Sequence, residues 1–273
     1  MKKLFVIFFT LVLIFSFSFG NNFDSEKFVL VKGGTFQMGS SSGDNDERPV
    51  HEVTLNYDFL IGKYEVTFAD YDKYCEDLLK GKPLDEEWGR KNRPVMNISW
   101  IDMIMYCNWL SSQENLPPAY DENGNLLDKN GNLTKDITKV EGYRLPTEAE
   151  WEFAARGGTS SEHFKYSGSN NINTVAWYED NSDDYAHEVG TKSPNELGIY
   201  DMTGNLWELC NDWYGSYSEE NNMNPIGPDS GTRKVSRGGS WFNSAENNCV
   251  ANRGRKKPDE ISYKHGFRIC KTK

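Results

Sequence analysis

Three hydroxyl residues, each followed three places later by an acid, set the helical content of this sequence: Thr67 with Asp70, Ser99 with Asp102 and Thr147 with Glu150. A hydroxyl with an acid at that spacing satisfies the free N–H groups at a helix start, and the third pair reads as a full capping box. After Ser99, the residues Ile101, Met105 and Trp109, with Ile104, Tyr106 and Leu110, give an apolar stripe of helical period, so this helix is expected to be mostly buried. Glu148 to Arg156 carries Trp151, Phe153 and Ala154 and stops at Gly157-Gly158, a glycine C-terminus. Beyond Gly158 no long helix is readable.

What remains is short strands and turns. Phe28 to Val31 leads into Gly33 to Ser40, which reads as turn, strand, turn, and Val53 to Leu55 and Phe59 to Val66 alternate as short strands. The segments 175–178, 207–213 and 235–242 are short aromatic runs. The glycines near Gly33 do not open a helix with a lysine and a hydroxyl, so a nucleotide loop is set aside. In the polar insertion from Pro117 to Val140, Asn123-Gly124-Asn125-Leu126 recurs as Asn130-Gly131-Asn132-Leu133. Each copy lacks the sixth-position glycine of a calcium loop, so turn chemistry is the expectation. Aromatic and apolar residues continue from Gly33 to Cys270 with no low-complexity linker, which points to one domain.

Composition enters at three points. Of the 273 residues 14% are aromatic, enough to build a core in a chain of mean hydropathy -0.71. The formal charge of -11 argues against nucleic acid, which needs a basic face. Lys2 and Lys3 precede an apolar run from Leu4 to Phe19 that ends in Ser18-Phe19-Gly20, so residues 1–20 read as a secretory signal peptide; the alternative is an uncleaved membrane anchor. Export permits disulfides, yet Cys75, Cys107, Cys210, Cys249 and Cys270 are odd in number and too dispersed for a redox pair or a zinc knuckle. His51, His163, His187 and His265 are scattered likewise, against a histidine-based metal centre.

The segments Gly33 to Gly39, Tyr64-Glu65-Val66-Thr67, Pro94-Val95, Ile98-Ser99-Trp100, Tyr143 to Gly158, Gly204-Asn205-Leu206-Trp207-Glu208, Arg237-Gly238-Gly239-Ser240-Trp241 and Gly266-Phe267-Arg268 occur in that order. Together they resemble the formylglycine-generating enzyme, or sulfatase-modifying factor, family over residues 26–273. The resemblance implies a single compact α+β domain of low regular secondary structure with a C-type-lectin-like core. Enzymes of that family oxidise a sulfatase cysteine to formylglycine with two active-site cysteines and copper. In this sequence those positions read Asn243 and Asn248, and Cys249 stands one place late. Asparagine cannot replace soft thiolates, so copper is not expected. Ser240 matches the serine of the family's groove, and Ser240 and Cys249 are the remaining catalytic candidates.

The resemblance also implies calcium held by Asp201, Gly204, Leu206 and Glu208, oxygen donors suited to a hard cation; the alternative is that Glu208 forms an ion pair in a buried loop. It further implies a Cys107–Cys270 disulfide, with Cys270 displaced by one residue; Cys210 with Cys249 is the second expected pair, leaving Cys75 free. Trp241, Phe242, Asn243, Asn247, Asn248, Arg255, Lys256 and Tyr263 are expected to form an exposed recognition surface, in a location that also resembles the variable proteins of diversity-generating retroelements. Two functions follow: an exported binding module for an extracellular or periplasmic protein or glycan, or an oxidase with rearranged ligands.

Overall fold

The computed structural model describes residues 26–219 and 222–273, so the expected signal peptide lies outside the described residues. In chain order the main elements are β1 (Phe28–Val31), β2 (Gly34–Met38), β3 (His51–Leu55), β4 (Phe59–Gly62), α1 (Phe68–Asp77), α2 (Trp100–Gln113), α3 (Glu148–Ala155), the single turn α4 (Ile172–Val175), β5 (Trp207–Trp213), β6 (Lys234–Arg237), β7 (Arg253–Lys256), β8 (His265–Gly266) and β9 (Cys270–Thr272). Three sheets result, in the orders β1-β4-β9, β2-β3 and β7-β6-β5-β8. All pairs are antiparallel except β5 with β8. The first and last of these strands flank β4, so the two ends of the domain close on one sheet.

The three hydroxyl–acid pairs all cap helices. Thr67 accepts the Asp70 N–H, and Ser99 and Thr147 each complete a reciprocal box with Asp102 and Glu150. The face of α2 differs from the expectation. Trp100, Met103, Ile104, Tyr106, Cys107 and Ser111 are its buried residues, whereas Ile101 and Met105 are 38% and 46% exposed. Asp102, Asn108, Ser112 and Gln113 lie on the same side as Ile101 and Met105, so the polar residues rather than that apolar stripe mark the outer face.

Two apolar clusters form the core. One gathers α1, α2 and the Tyr120–Leu145 region; the other gathers α3, β3 and much of β4. β5 lies between them, with Leu209 in the first and Cys210 in the second, as the alternation of a strand requires. All eight residues of α3 are buried, three of them glutamates. Each glutamate meets an arginine from outside the helix: Glu148 with Arg253, Glu150 with Arg144, and Glu152 with Arg237. Pairing of this kind offsets the cost of burying the charges.

The expected disulfides are absent, and all five cysteines are free thiols. Cys107 lies in the first cluster and Cys270 in the second, while Ile269 occupies the first. The one-residue displacement of Cys270 therefore turns its side chain to the opposite face. Cys210 belongs to the second cluster, whereas Cys249 packs against a third around Tyr166 and Tyr178. The insertion forms two like turns: Asp121 Oδ1 accepts the N–H groups of Asn123 and Asn125, and Asp128 Oδ1 those of Asn130 and Asn132. Gly124 is required in the first turn, since φ is +80° and a Cβ would come within 2.5 Å of the Trp100 ring.

Candidate functional site

The loop that follows β6 is built on Gly238 and Gly239, both of positive φ. At Gly239 a Cβ would approach the Asn248 amide oxygen to 2.2 Å, so the glycine lets the two ends of the loop touch. Within it, the Asn243 Oδ1 accepts from Ser240 Oγ at 2.6 Å and from Trp207 Nε1 at 2.9 Å. Asn248 is buried, and its Nδ2 donates to the carbonyls of Asn243 and Ser244 at 3.0 and 2.8 Å. Both asparagines expected at the cysteine positions are thus parts of the turn itself. They supply amides where a cuprous ion would need thiolates, so the donor set does not fit copper.

Cys249 does not make up the difference. Burial pushes its thiol above the ordinary value despite nearby Lys165, and the Sγ contacts the Ala245 carbonyl at 3.8 Å. A protonated thiol is a poor nucleophile and a poor metal ligand.

The eight residues expected on one recognition surface separate. Trp241, Asn248 and Lys256 are buried, which corrects their expected exposure: the Trp241 backbone is held by Asn205 and Ser182, and Lys256 Nζ donates to the Ile261 carbonyl. Asn243 is half-buried in the turn, and Arg255 lies over the Tyr214 ring at 4.7 Å. Asn247 is exposed and lines an open cleft with Cys249, Lys165 and Glu47. Phe242 and Tyr263, 52% and 40% exposed, come together with Trp241 and half-buried Trp88. From Trp88 a row of rings continues through Tyr185 and His187 to Trp177. Trp88, Tyr185 and His187 carry no family motif, and only the 14% aromatic content hinted at such a row.

The expected calcium ligands lie close in the chain, and both carboxylates among them accept hydrogen bonds from the protein. Arg268 donates to both Glu208 oxygens at 2.6 Å, and Trp151 Nε1 donates to Oε2 at 2.8 Å. Asp201 accepts the Gly190 N–H at 2.7 Å. Among the described residues no group of three or more His, Cys, Asp or Glu side chains could hold a metal. Glu208 is thus paired with a guanidinium, the contact that the ion-pair alternative expects.

Glu65 was not singled out as a site residue, yet it anchors the loop from below. Its carboxylate accepts from Asn205 Nδ2 at 2.6 Å and from the Leu206 N–H at 3.1 Å. Asn205 in turn accepts the His187 N–H on its side chain and the Trp241 N–H on its carbonyl. Burial, together with Asp201 and Glu208, raises the Glu65 pKa well above the ordinary carboxylate value. Three of the sequence motifs therefore meet at one buried amide.

Comparison with known proteins accords with this geometry. The sulfatase-modifying factor enzyme 1-like domain matches residues 17–273. The chain is 36% identical to chaperone protein LppX of Paenibacillus barcinonensis over 93% of its own length and 92% of the relative's. It is 31% identical to the formylglycine-generating enzyme of Streptomyces coelicolor over 89% and 88%. Among solved structures, Treponema denticola variable protein 1 superposes with a TM-score of 0.73 at 33% identity, covering 90% of this chain and 95% of that one. The fold is the α+β, C-type-lectin-like one that the resemblance implied. The chain belongs to the formylglycine-generating enzyme-like, sulfatase-modifying factor family.

Proposed function

We propose that this chain is a non-catalytic binding module, exported by way of its first 20 residues, that recognises an extracellular or periplasmic protein through the loops around Phe242 and Tyr263. One observation carries the proposal: Asn243, at the first cysteine position, is spent on closing the turn with Ser240 and Trp207. Rigid scaffolding beneath exposed aromatic side chains is the arrangement of a recognition surface. The name of the chaperone relative favours a protein over a glycan as the ligand.

The test has two arms. Incubated with copper, oxygen, reductant and a peptide bearing a sulfatase Cys-x-Pro-x-Arg core, the purified protein should yield no formylglycine above a Cys249→Ser control. Conversion above that control would establish the oxidase function instead, a reading that the 31% identity to a formylglycine-generating enzyme favours. In the second arm the domain is panned against extracellular matrix proteins and glycan arrays, then repeated with Phe242→Ala, Asn247→Ala and Tyr263→Ala combined. Capture that survives the triple variant would place recognition elsewhere on the molecule.

A further inference from the structure

Beside the loop, one ammonium group is seated among three rings. Lys264 Nζ lies 3.0 Å from the Phe242 ring centroid, 5.5 Å from that of Tyr263 and 5.8 Å from that of Trp241. The rings do not share a plane. Trp241 and Tyr263 are stacked with centroids 6.0 Å apart, Phe242 meets Trp241 edge to face at 80°, and Trp88 stands edge-on behind both Trp241 and Tyr263. Ring faces and edges from several directions make a cage whose π-electrons attract a cation.

Among the described ion pairs Lys264 has no carboxylate partner, although nearby Lys256 and Lys257 both share Glu260. A surface lysine ordinarily keeps its ammonium group in water, and at this half-buried place the rings stand in for part of that hydration. The partial desolvation lowers the Lys264 pKa. Trp241 Nε1, in the cage wall, is buried without a hydrogen-bond acceptor.

We infer that this cage is a receptor for a lysine side chain of a protein ligand, and that Lys264 occupies it in the free state as a resident stand-in. The inference rests on the binding reading above and names the chemistry of its ligand. Lys264 shows that the cage accepts a primary alkylammonium group on a four-carbon stem. Phe242 and Tyr263 are exposed enough to admit one from outside. The chain's formal charge of -11 favours the approach of a basic segment over an acidic one. Because Lys264 must leave before a ligand lysine enters, it competes with the ligand and weakens its binding.

Nα-acetyl-lysine methylamide is the probe, titrated against the whole domain while the Trp241 indole N–H resonance is followed. Lys264→Met retains the stem without the charge, and Lys264→Ala empties the cage. Lys264→Ala should tighten the probe at least tenfold relative to the parent, and adding Phe242→Ala should abolish that gain. The norleucine analogue, which has the stem but no ammonium, should not bind. If both Lys264 variants fold and neither binds the probe more tightly, or if norleucine binds equally well, the cage is no lysine receptor. Failure of this kind beside continued Phe242-dependent capture of a panned protein would overturn the ligand chemistry and leave the binding module standing.

Discussion

At the residue scale, the most exacting position is Lys234. It is buried, its Nζ stands 3.9 Å from the Trp100 ring centroid and 3.8 Å from that of Trp213, and it donates to the Asn211 carbonyl at 2.8 Å. Burial pushes its pKa down to about 7, with Asp212 acting in the opposite sense. In the unfolded chain a lysine keeps its proton to about pH 10.4. Between these values the unfolded state binds the extra proton, so stability rises with pH across that window and is reduced below it. Lys234→Met removes the group from both states. Urea unfolding of parent and variant at pH 6.5 and 9 should show the parent gaining on the variant at the higher pH, by at most about 1.4 kcal/mol per pH unit. A difference independent of pH would mean that the lysine stays charged in the fold.

At the scale of elements, α2 gives the sharpest test because two assignments of its buried face compete. Ile101→Glu and Met105→Glu should each change stability by no more than about 0.5 kcal/mol, as exposed positions do, whereas Ile104→Ala should cost roughly 2 to 5 kcal/mol. Thermal melts of the three variants decide it, and a large loss at Met105 would restore the stripe expected from the sequence. The starts of all three long helices were legible because a cap is a local device, complete within four residues. The phase of α2 is misjudged from the stripe of Ile101, Met105 and Trp109, whereas Asp102, Asn108, Ser112 and Gln113 share that side of the helix and mark it as the outer one. The glutamates of α3 were hidden for the opposite reason. Their arginines lie from 6 to 105 residues away, and no local pattern announces a pairing made by the fold. Trp241, Phe242 and Tyr263 were singled out from the sequence; their neighbour Trp88 was not, because it comes from a loop some 150 residues before Phe242.

At the scale of the whole molecule, the pair of Arg268 with Glu208 is a buried brace at the place where the family resemblance implies calcium. It joins β5 to the segment before β9, and through Trp151 to α3, while Arg268 also donates to the Gly62 and Tyr200 carbonyls at 2.8 and 2.9 Å. One guanidinium thus links the closing sheet, the central strand and the loop that carries Asp201. An ion at free concentration c bound only to the native state would stabilise it by RT ln(1 + c/Kd), about 2.7 kcal/mol at a hundredfold excess over the dissociation constant, and so raise the melting temperature with ion concentration. A brace made of protein alone has no such dependence. Melting curves recorded in excess EGTA and in millimolar calcium should therefore overlay, and a shift between them would return Glu208 to the list of calcium ligands. Glu208→Gln separates the two cases further, because it leaves a buried guanidinium uncompensated. Its loss of roughly 3 to 5 kcal/mol should be the same in both buffers, whereas a calcium ligand would lose most in calcium and little in EGTA.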